Sequence, residues 1–134
     1  MASPLSVFDI AGRAMSAQMV RLNTTASNLA NAGSVSATKE GAFQALRPVF
    51  TPVTEGKGIA TVKVGSILTS KDEAVKKHMP DHPLADANGD VWEANVDSAA
   101  EMVDMLETAR AYQNNVQVMQ TAKTLTLDTL RLGK

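Results

Sequence analysis

Two histidines, His78 and His82, are the residues whose chemistry and spacing come closest to those of a metal site. On a helix, residues four apart lie on one face, as the two ligands of a helical zinc motif do. Pro80 and Pro83 interrupt this segment, and proline is disfavoured inside a helix. The sequence therefore predicts no metal site at the two histidines.

The acidic segment Asp86-Ala-Asn88-Gly89-Asp90 has the residue types of a calcium-binding loop. In a calcium hand the glycine is the sixth loop residue and a glutamate is the twelfth. Counted from Asp86, the glycine here is fourth and the twelfth residue is Asp97. Because Asn-Gly also marks tight turns, we predict a turn that leads into the second helix.

Three carboxylates, Glu101, Asp104 and Glu107, are candidates for acid–base chemistry. They fall in the first turns of a predicted helix, where the helix dipole already favours negative charge. The chain has no cysteine, which excludes thiol catalysis, cysteine-ligated zinc and disulfides. The sequence contains no nucleophile triad spacing, phosphate-binding loop or dinucleotide fingerprint. We therefore predict that the protein is not an enzyme and binds no cofactor.

Composition narrows the classes of partner. The 134 residues suffice for one domain, and 13 basic residues balance 14 acidic ones without a basic block, so we expect no nucleic acid partner. No apolar run approaches the roughly 20 residues of a membrane span, so we expect no direct membrane insertion. The N-terminus lacks the pattern of a secretory signal. Aromatic residues make up only 4% of the chain, which predicts a thin core.

The N-terminal region has a seven-residue repeat of apolar side chains, which predicts a long helix that faces a partner helix. Its main series is Phe8, Met15, Leu22 and Leu29, and its first three members are followed four residues later by Gly12, Met19 and Ala26. Ser6 and Asp9 have capping-box spacing, Pro4 is a competing first residue, and Gly33 is expected to end the helix in a left-handed conformation. The remaining surface carries amides and hydroxyls, including Asn28 and Asn31, which suits close packing among other helices.

The C-terminal region predicts a second long helix, from Asp97 or Ser98 to Leu132, with Gly133 just past its end. Ser98 and Glu101 have capping-box spacing. The apolar stripe is wider than one partner helix can cover. It consists of Met102, Ala109, Val116 and Leu130, a flanking series of Met105, Tyr112 and Met119, and Leu106, Val118, Leu125, Leu127 and Leu132. We expect other subunits to cover the remainder.

The middle of the chain predicts a β-hairpin followed by an irregular loop. Residues 43–53 are predicted to be extended, Glu55-Gly56-Lys57-Gly58 to form a turn, and residues 59–68 to form the second strand. Pro48 and Pro52 suit an edge strand. Residues 70–96 are charged or rich in proline and turn residues, and are predicted to be irregular.

These elements define the predicted fold class, which is mainly α. Long N- and C-terminal helices are expected to pair as a coiled coil, with a small central β-hairpin and an irregular loop between them. Residues 1–33 and 97–134 form the predicted terminal helical domain, and residues 34–96 form the central region.

Both ends of the chain closely resemble the signature of the bacterial flagellar axial proteins, the family of rod, hook and hook-associated subunits. The N-terminal part of the signature is Asn23-Thr-Thr-Ala-Ser-Asn28-Leu-Ala-Asn31-Ala. The C-terminal part is Glu101-Met-Val-Asp-Met-Leu, followed by Ala109-Arg-Ala-Tyr112-Gln-Asn-Asn, Ala122-Lys123 and Leu130-Arg-Leu-Gly133. The short length and the segment His82-Pro-Leu-Ala-Asp86-Ala-Asn-Gly89 are most similar to the short proximal-rod members.

The resemblance implies a structural subunit of the flagellar basal-body rod, a helical tube in the periplasm that transmits torque from motor to hook. The implied partners are other copies of the chain, neighbouring rod proteins and the flagellar type III export apparatus. That apparatus exports its subunits without a cleaved signal peptide, which agrees with the N-terminus of this chain.

The residues expected to form the helix seam and to pack subunits are apolar and amide side chains of the terminal helices. They are Phe8, Met15, Met19, Leu22, Asn28, Leu29, Asn31, Met102, Met105, Leu106, Tyr112, Val116, Met119, Leu125 and Leu130. The alternative function is a helical adaptor or export chaperone. That alternative predicts a well-folded monomer or dimer with charged outer faces, whereas the first helix is polar but largely uncharged.

Overall fold

The computed structural model describes residues 4–55 and 58–134, and these residues form two long helices and five strands. Helix α1 spans Pro4–Ala30 and helix α2 spans Ser98–Leu132. The strands are β1 (Val35–Ser36), β2 (Leu46–Glu55), β3 (Ile59–Thr69), β4 (Val75–His78) and β5 (Asp90–Glu93). Strands β2 and β3 form an antiparallel hairpin, and β1, β5 and β4 form, in that order, a three-stranded antiparallel sheet.

The prediction of a mainly α fold is wrong, because five strands in two antiparallel sheets accompany the helices in the described part of the chain. The hairpin is present as predicted, although residues 56 and 57 of its predicted turn lie outside the described residues. The segment predicted to be irregular contributes β4 and β5. It gave no strand signal because β4 carries lysines that pair across the sheet instead of an apolar face. Lys77 lies 2.8 Å from Glu93, and Lys76 lies 2.7 Å from Asp90.

The two ends of α1 differ, and polar side chains bind the backbone at its C-terminal end. The helix begins at Pro4, the competing start that proline favours at a first helical position. The predicted left-handed cap at Gly33 is wrong, since the described glycines with positive φ are Gly58 and Gly89. Instead, Asn31 Nδ2 donates to the Ser27 carbonyl at 2.8 Å and Ser34 Oγ donates to the Asn31 carbonyl at 2.8 Å. These bonds add to the main-chain bonds that the same carbonyls accept from the Asn31 and Ser34 amides, at 3.1 and 3.0 Å, and so reinforce the helix end.

Helix α2 begins at Ser98 and ends at Leu132, with Gly133 after it, as the sequence predicts. Its N-cap is Asp97, whose carboxylate accepts bonds from the Ala99 and Ala100 amides at 3.0 and 3.2 Å. The predicted capping pair of Ser98 and Glu101 is therefore wrong. Glu101 is 1% exposed and points toward α1 and β2 rather than back along its own helix.

The two helices pack against each other in antiparallel directions. Arg21 contacts Asp104, Asn28 contacts Glu101, and Val7 lines a shallow cleft with Thr121 and Leu125. Helix α2 has 35 residues and α1 has 27, so α2 is longer by roughly 12 Å. The last turns of α2 consequently extend beyond the described part of α1. Supercoiling of this pair, and the division into a helical domain and a central region, stay predictions.

The apolar core of the described residues is thin. The apolar residues that are buried in it are all small or medium-sized: Ala11, Ala17, Ala42, Ala45, Val91 and Ala94. Alanine side chains exclude little apolar surface from water, so each stabilises the fold weakly. Among the residues that the structure describes, neither α1 nor α2 contains an apolar stretch of the length and hydropathy that a membrane-spanning helix needs.

Candidate functional site

The most deeply buried amide side chain, Asn28, lies where α1, α2 and the start of β2 meet. It is 0% exposed. Its Oδ1 accepts a bond from the Leu46 amide at 2.7 Å, and its Nδ2 donates to the Leu46 carbonyl at 2.9 Å. The same Nδ2 lies 3.1 Å from Glu101 Oε2, while Glu101 Oε1 lies 2.6 Å from Arg47 Nη1. We call Asn28, Leu46, Arg47 and Glu101 the Asn28 cluster.

The Asn28 cluster joins three elements through one set of polar groups. The amide of Asn28 binds both main-chain groups of Leu46, as a neighbouring strand would, and so attaches β2 to α1. The buried carboxylate of Glu101 would be costly without partners. Arg47 from β2 and Asn28 from α1 supply those partners, so the hairpin has a fixed position against the helix pair.

A second link between the helices lies about one turn away, at Asp104. Arg21 binds both of its carboxylate oxygens, and Thr25 Oγ1 donates to Oδ2 at 3.0 Å. Thr108, fully buried beside it, donates to the Asp104 carbonyl at 2.6 Å. The contact between the helices in this region is therefore polar, and its specificity comes from paired charges and hydrogen bonds.

Sequence reasoning assigned Glu101 and Asp104 to the helix dipole, and thereby missed their partners on α1. A signal was present. Arg21, Thr25 and Asn28 have a four–three spacing, and Glu101, Asp104 and Thr108 have a three–four spacing. Such spacings place each set on one helix face. A set of hydrogen-bond donors that includes one arginine, and a second set that includes two carboxylates, at matched spacings indicate a polar helix pairing.

The predicted seam and packing residues divide into three groups by exposure. Asn28 is buried. A half-buried group consists of Phe8, Met15, Leu22, Leu29, Asn31, Met105, Tyr112, Val116 and Met119. An exposed group consists of Met19 (44%), Met102 (56%), Leu106 (62%), Leu125 (62%) and Leu130 (64%). The structure thus brings Asn28 into the centre of the site and leaves the exposed group uncovered in a single chain. The role of both larger groups in subunit packing stays a prediction.

The two histidines do not converge on one point. His78 lies in β4, with Nδ1 2.9 Å from Asp90 Oδ1, whereas His82 Nδ1 accepts a bond from the Leu84 amide at 3.1 Å. Within residues 4–55 and 58–134, no group of three or more histidine, cysteine or acidic side chains is arranged to hold a metal ion.

The Asp86 segment forms a tight turn. Asp86 Oδ1 accepts bonds from the amides of Asn88 and Asp90 at 2.8 and 3.0 Å. Gly89 has φ 78°, and a Cβ there would lie 3.0 Å from Pro80, so the turn requires glycine. The Asp86 carboxylate therefore binds main-chain amides of its own turn, which is the arrangement of a turn residue.

Asp90 is expected to show a lowered pKa. The Lys76 ammonium and, next, His78 bind its carboxylate and hold the pKa of Asp90 below its usual 3.8. Because the folded-state pKa is depressed, the contribution of the carboxylate to stability is present at neutral pH and is lost as the pH falls through the lowered pKa. In an NMR titration, we expect Asp90 to titrate below 3.8 and to return toward 3.8 in the Lys76→Met variant. An unchanged midpoint in that variant would exclude Lys76 as the main cause.

The Arg47–Glu101 pair gives a second measurable prediction. Arg47→Ala should lower the free energy of unfolding by about 1–2 kcal/mol, because it leaves a buried carboxylate with one partner fewer. In a Glu101→Gln background, the same change should cost less than about 0.5 kcal/mol. The double-mutant cycle is measured by urea unfolding. Equal costs in both backgrounds would show that the two side chains are not coupled.

Comparisons with known proteins match both ends and nearly the whole length of this chain. Residues 8–35 match a family model described as flagella basal body rod protein, and residues 87–132 match one described as flagellar basal body rod FlgEFG protein C-terminal. The flagellar basal-body rod protein FlgC of Salmonella typhimurium is 44% identical over 131 residues, which cover 97% of this chain and 98% of the relative. The FlgC proteins of Escherichia coli O157:H7 (45%; 97% of this chain, 98% of the relative) and Yersinia enterocolitica (43%; 98% and 99%) are similar to the same extent.

Proposed function

The chain belongs to the flagellar basal-body rod protein family, and from this membership we propose that copies of it, with neighbouring rod proteins, build the tube that transmits torque from motor to hook. It is a structural subunit of the basal-body rod. The resemblance predicted from the two terminal signatures is confirmed. Its part in the rod is to pack against neighbours, and we infer no catalytic role.

The single observation that carries the proposal is the set of large apolar side chains on α2 that the chain itself leaves exposed. Toward the start of the helix these are Met102, Val103 and Leu106, each at least 56% exposed. Toward its end they are Leu125, Leu127, Leu130 and Leu132, between 45% and 87% exposed. Full burial of one such side chain contributes roughly 1.5–3 kcal/mol. Neighbouring subunits would supply that burial.

The antiparallel helix pair explains why the exposed leucines cluster at the end of α2. Val7 lies beside Thr121 and Leu125, and α1 begins less than one turn before Val7. The described part of α1 therefore covers little of α2 beyond Leu125. A rod formed by rotation plus rise would use heterologous contacts, in which this end of one copy packs against a different face of the next.

The thin core supports the second implied partner, the flagellar type III export apparatus. A chain that passes through a narrow channel must unfold easily, and buried alanines stabilise a fold weakly. Export without a cleaved signal peptide would place the rod subunit in the periplasm. Packing among subunits would then supply the stability that the single chain lacks.

The test is to purify basal bodies from the bacterium that makes this chain and to quantify their proteins by mass spectrometry. We expect many copies of the chain in each rod, and loss of rods and of swimming when its gene is deleted. A helical adaptor or export chaperone would instead remain in the cytosol and be absent from washed basal bodies. That second outcome would overturn the proposal.

A further inference from the structure

The two outer edges of the β2–β3 hairpin differ in their free hydrogen-bonding groups. The Ser70 amide donates to the Ala45 carbonyl at 2.7 Å, so this pair is a hydrogen-bonded pair of the antiparallel ladder. Bonded and non-bonded pairs alternate. The next pair, Leu46 with Thr69, and the one two residues on, Pro48 with Ile67, are therefore non-bonded pairs whose main-chain groups point outward.

The outer edge of β2 is largely closed. Both main-chain groups of Leu46 are already bound by the amide of Asn28. Pro48 and Pro52 have no N–H and, by the same alternation, fall at outward-facing positions. Phe50 lies between the two prolines and Thr54 lies after the second, so each keeps an isolated outward N–H donor. A continuous ladder with another strand cannot form along an edge that lacks these donors.

The outer edge of β3 is open. Its register shifts where Val49 pairs with Ser66 and Phe50 with Val64, which leaves Gly65 as an extra residue on β3. The outward-facing residues of β3 are then Ala60, Val62, Val64, Ile67 and Thr69, and none of them is proline. In the part of the chain that the structure describes, their outward main-chain groups have no hydrogen-bond partner. Ile67 is 50% exposed beside them.

A second open edge lies on β4, in the other sheet. The Met79 amide donates to the Gly89 carbonyl at 2.8 Å, so Met79 and Gly89 are a hydrogen-bonded pair. By the alternation of pairs, the main-chain N–H and C=O groups of Lys76 and His78 point away from β5. Every residue of β4 is exposed, and Val75 is 52% exposed. Lysines often protect edge strands from pairing because their charge repels another strand. Here Lys76 and Lys77 are bound to carboxylates of β5, so their charges are neutralised and do not protect the edge of β4.

We infer that β3 of one copy pairs through its open edge with β4 of a second copy, so that a β-ladder joins neighbouring subunits outside the helical layer. The inference rests on the proposed function, because a subunit of an open-ended tube needs two different contact surfaces. Pairing of β3 with β3 would be isologous and would close into a dimer, whereas pairing of β3 with β4 leaves one free edge at each end and propagates.

Cysteine cross-linking tests the pairing directly, since the native chain has no cysteine. Leu68→Cys and Val75→Cys are combined in one full-length chain, and purified rods are treated with a short bifunctional thiol reagent. Both residues are more than half exposed, and the main-chain groups of both are directed into their own sheet, so the two can face each other across the new ladder. Facing residues of paired strands lie about 5 Å apart, within reach of the reagent. We expect a ladder of multimers from the double variant and no ladder from either single variant. The matched control combines Val75→Cys with Val49→Cys, which lies on β2 beside the closed edge and, like Leu68, has main-chain groups directed into the hairpin; it should give no ladder.

A proline pair provides an independent readout. Ile67→Pro removes one outward donor of β3, and Thr54→Pro removes one outward donor of β2, while neither donor takes part in the hairpin ladder. We expect at least a tenfold loss of rod incorporation for Ile67→Pro and less than twofold for Thr54→Pro. Circular dichroism of the two purified variants is the folding control, and both should give the spectrum of the parent chain.

The outcomes separate this inference from the proposed function. Rods that contain the double-cysteine chain but give no ladder would overturn the β3–β4 pairing while leaving the rod assignment intact. Dimers from the Leu68→Cys variant alone would show that β3 pairs with β3 in an isologous contact, which would also overturn the β3–β4 pairing. Absence of the unmodified chain from purified rods would instead overturn the proposed function.

Discussion

Asn28→Ala is expected to destabilise the chain by about 3 kcal/mol, the largest effect of any single polar substitution that the structure suggests. The change removes three hydrogen bonds at a fully buried position and leaves the Leu46 main chain and Glu101 without them. Unsatisfied buried groups of this kind cost roughly 1–3 kcal/mol each before water re-enters. Since a small domain has about 5–15 kcal/mol of stability, this loss removes a large share of the margin and should move the unfolding midpoint to a clearly lower urea concentration. Urea unfolding followed by circular dichroism measures the loss.

Asn31→Ala is the matched control for Asn28→Ala, because it removes the same amide from the same motif three residues away. Asn31 is half-buried, and its Nδ2 donates to the Ser27 carbonyl of its own helix. We expect a loss of about 0.5–1 kcal/mol, typical of one exchangeable hydrogen bond. Equal losses of unfolding free energy in the two variants would show that the bonds of Asn28 to β2 and α2 stabilise the fold no more than a bond within one helix does.

The second large effect is expected at assembly rather than at folding. Leu125→Asp combined with Leu130→Asp should leave the single chain folded, because both leucines are more than 60% exposed in it. In a rod, the same positions would bury a carboxylate in every copy, and an unpaired buried charge is strongly unfavourable. We expect at least a tenfold loss of the chain from purified basal bodies, measured by quantitative mass spectrometry, together with loss of swimming.

Thr124→Asp combined with Thr129→Asp is the control for this prediction. These threonines are exposed in the same turns, and the substitution adds the same charge without removing apolar surface. The control should assemble to at least half the parent level. An assembling leucine variant, or a threonine variant that fails as completely, would contradict the assignment of the exposed leucines to the packing surface.

The hairpin and the second helix show how far local signals go. The bounds of α2 were predictable because its N-terminal acidic residue, its periodic apolar stripe and its final glycine lie within the segment itself. The hairpin was predictable because a turn signal separates two extended runs. The three-stranded sheet was not, because β1, β4 and β5 are short and their pairing joins residues far apart in the chain.

Glu101 marks the limit of the sequence most clearly. Its place in the first turn of α2 satisfies a rule for charge at a helix start, and its spacing from Ser98 satisfies a capping rule. Both rules consider one helix at a time. The fold turns the side chain toward Asn28 and Arg47, and Asp97 caps the helix in its place. Both local rules fit the position of Glu101, but the side chains that bind it, Asn28 and Arg47, lie on α1 and β2. A rule that considers only α2 cannot include them.

By itself, the sequence determined that the chain has two long terminal helices and a hairpin, and which family it belongs to. Helix lengths, caps and terminal motifs depend on neighbours within a few residues, and a linear sequence retains that information. Only the tertiary structure decided that a small polar cluster, and not the apolar repeat, occupies the most buried positions between the helices. It also decided which leucines stay exposed and which strand edge stays open. Those outcomes depend on which faces meet, and that is determined by the burial of groups far apart in the chain.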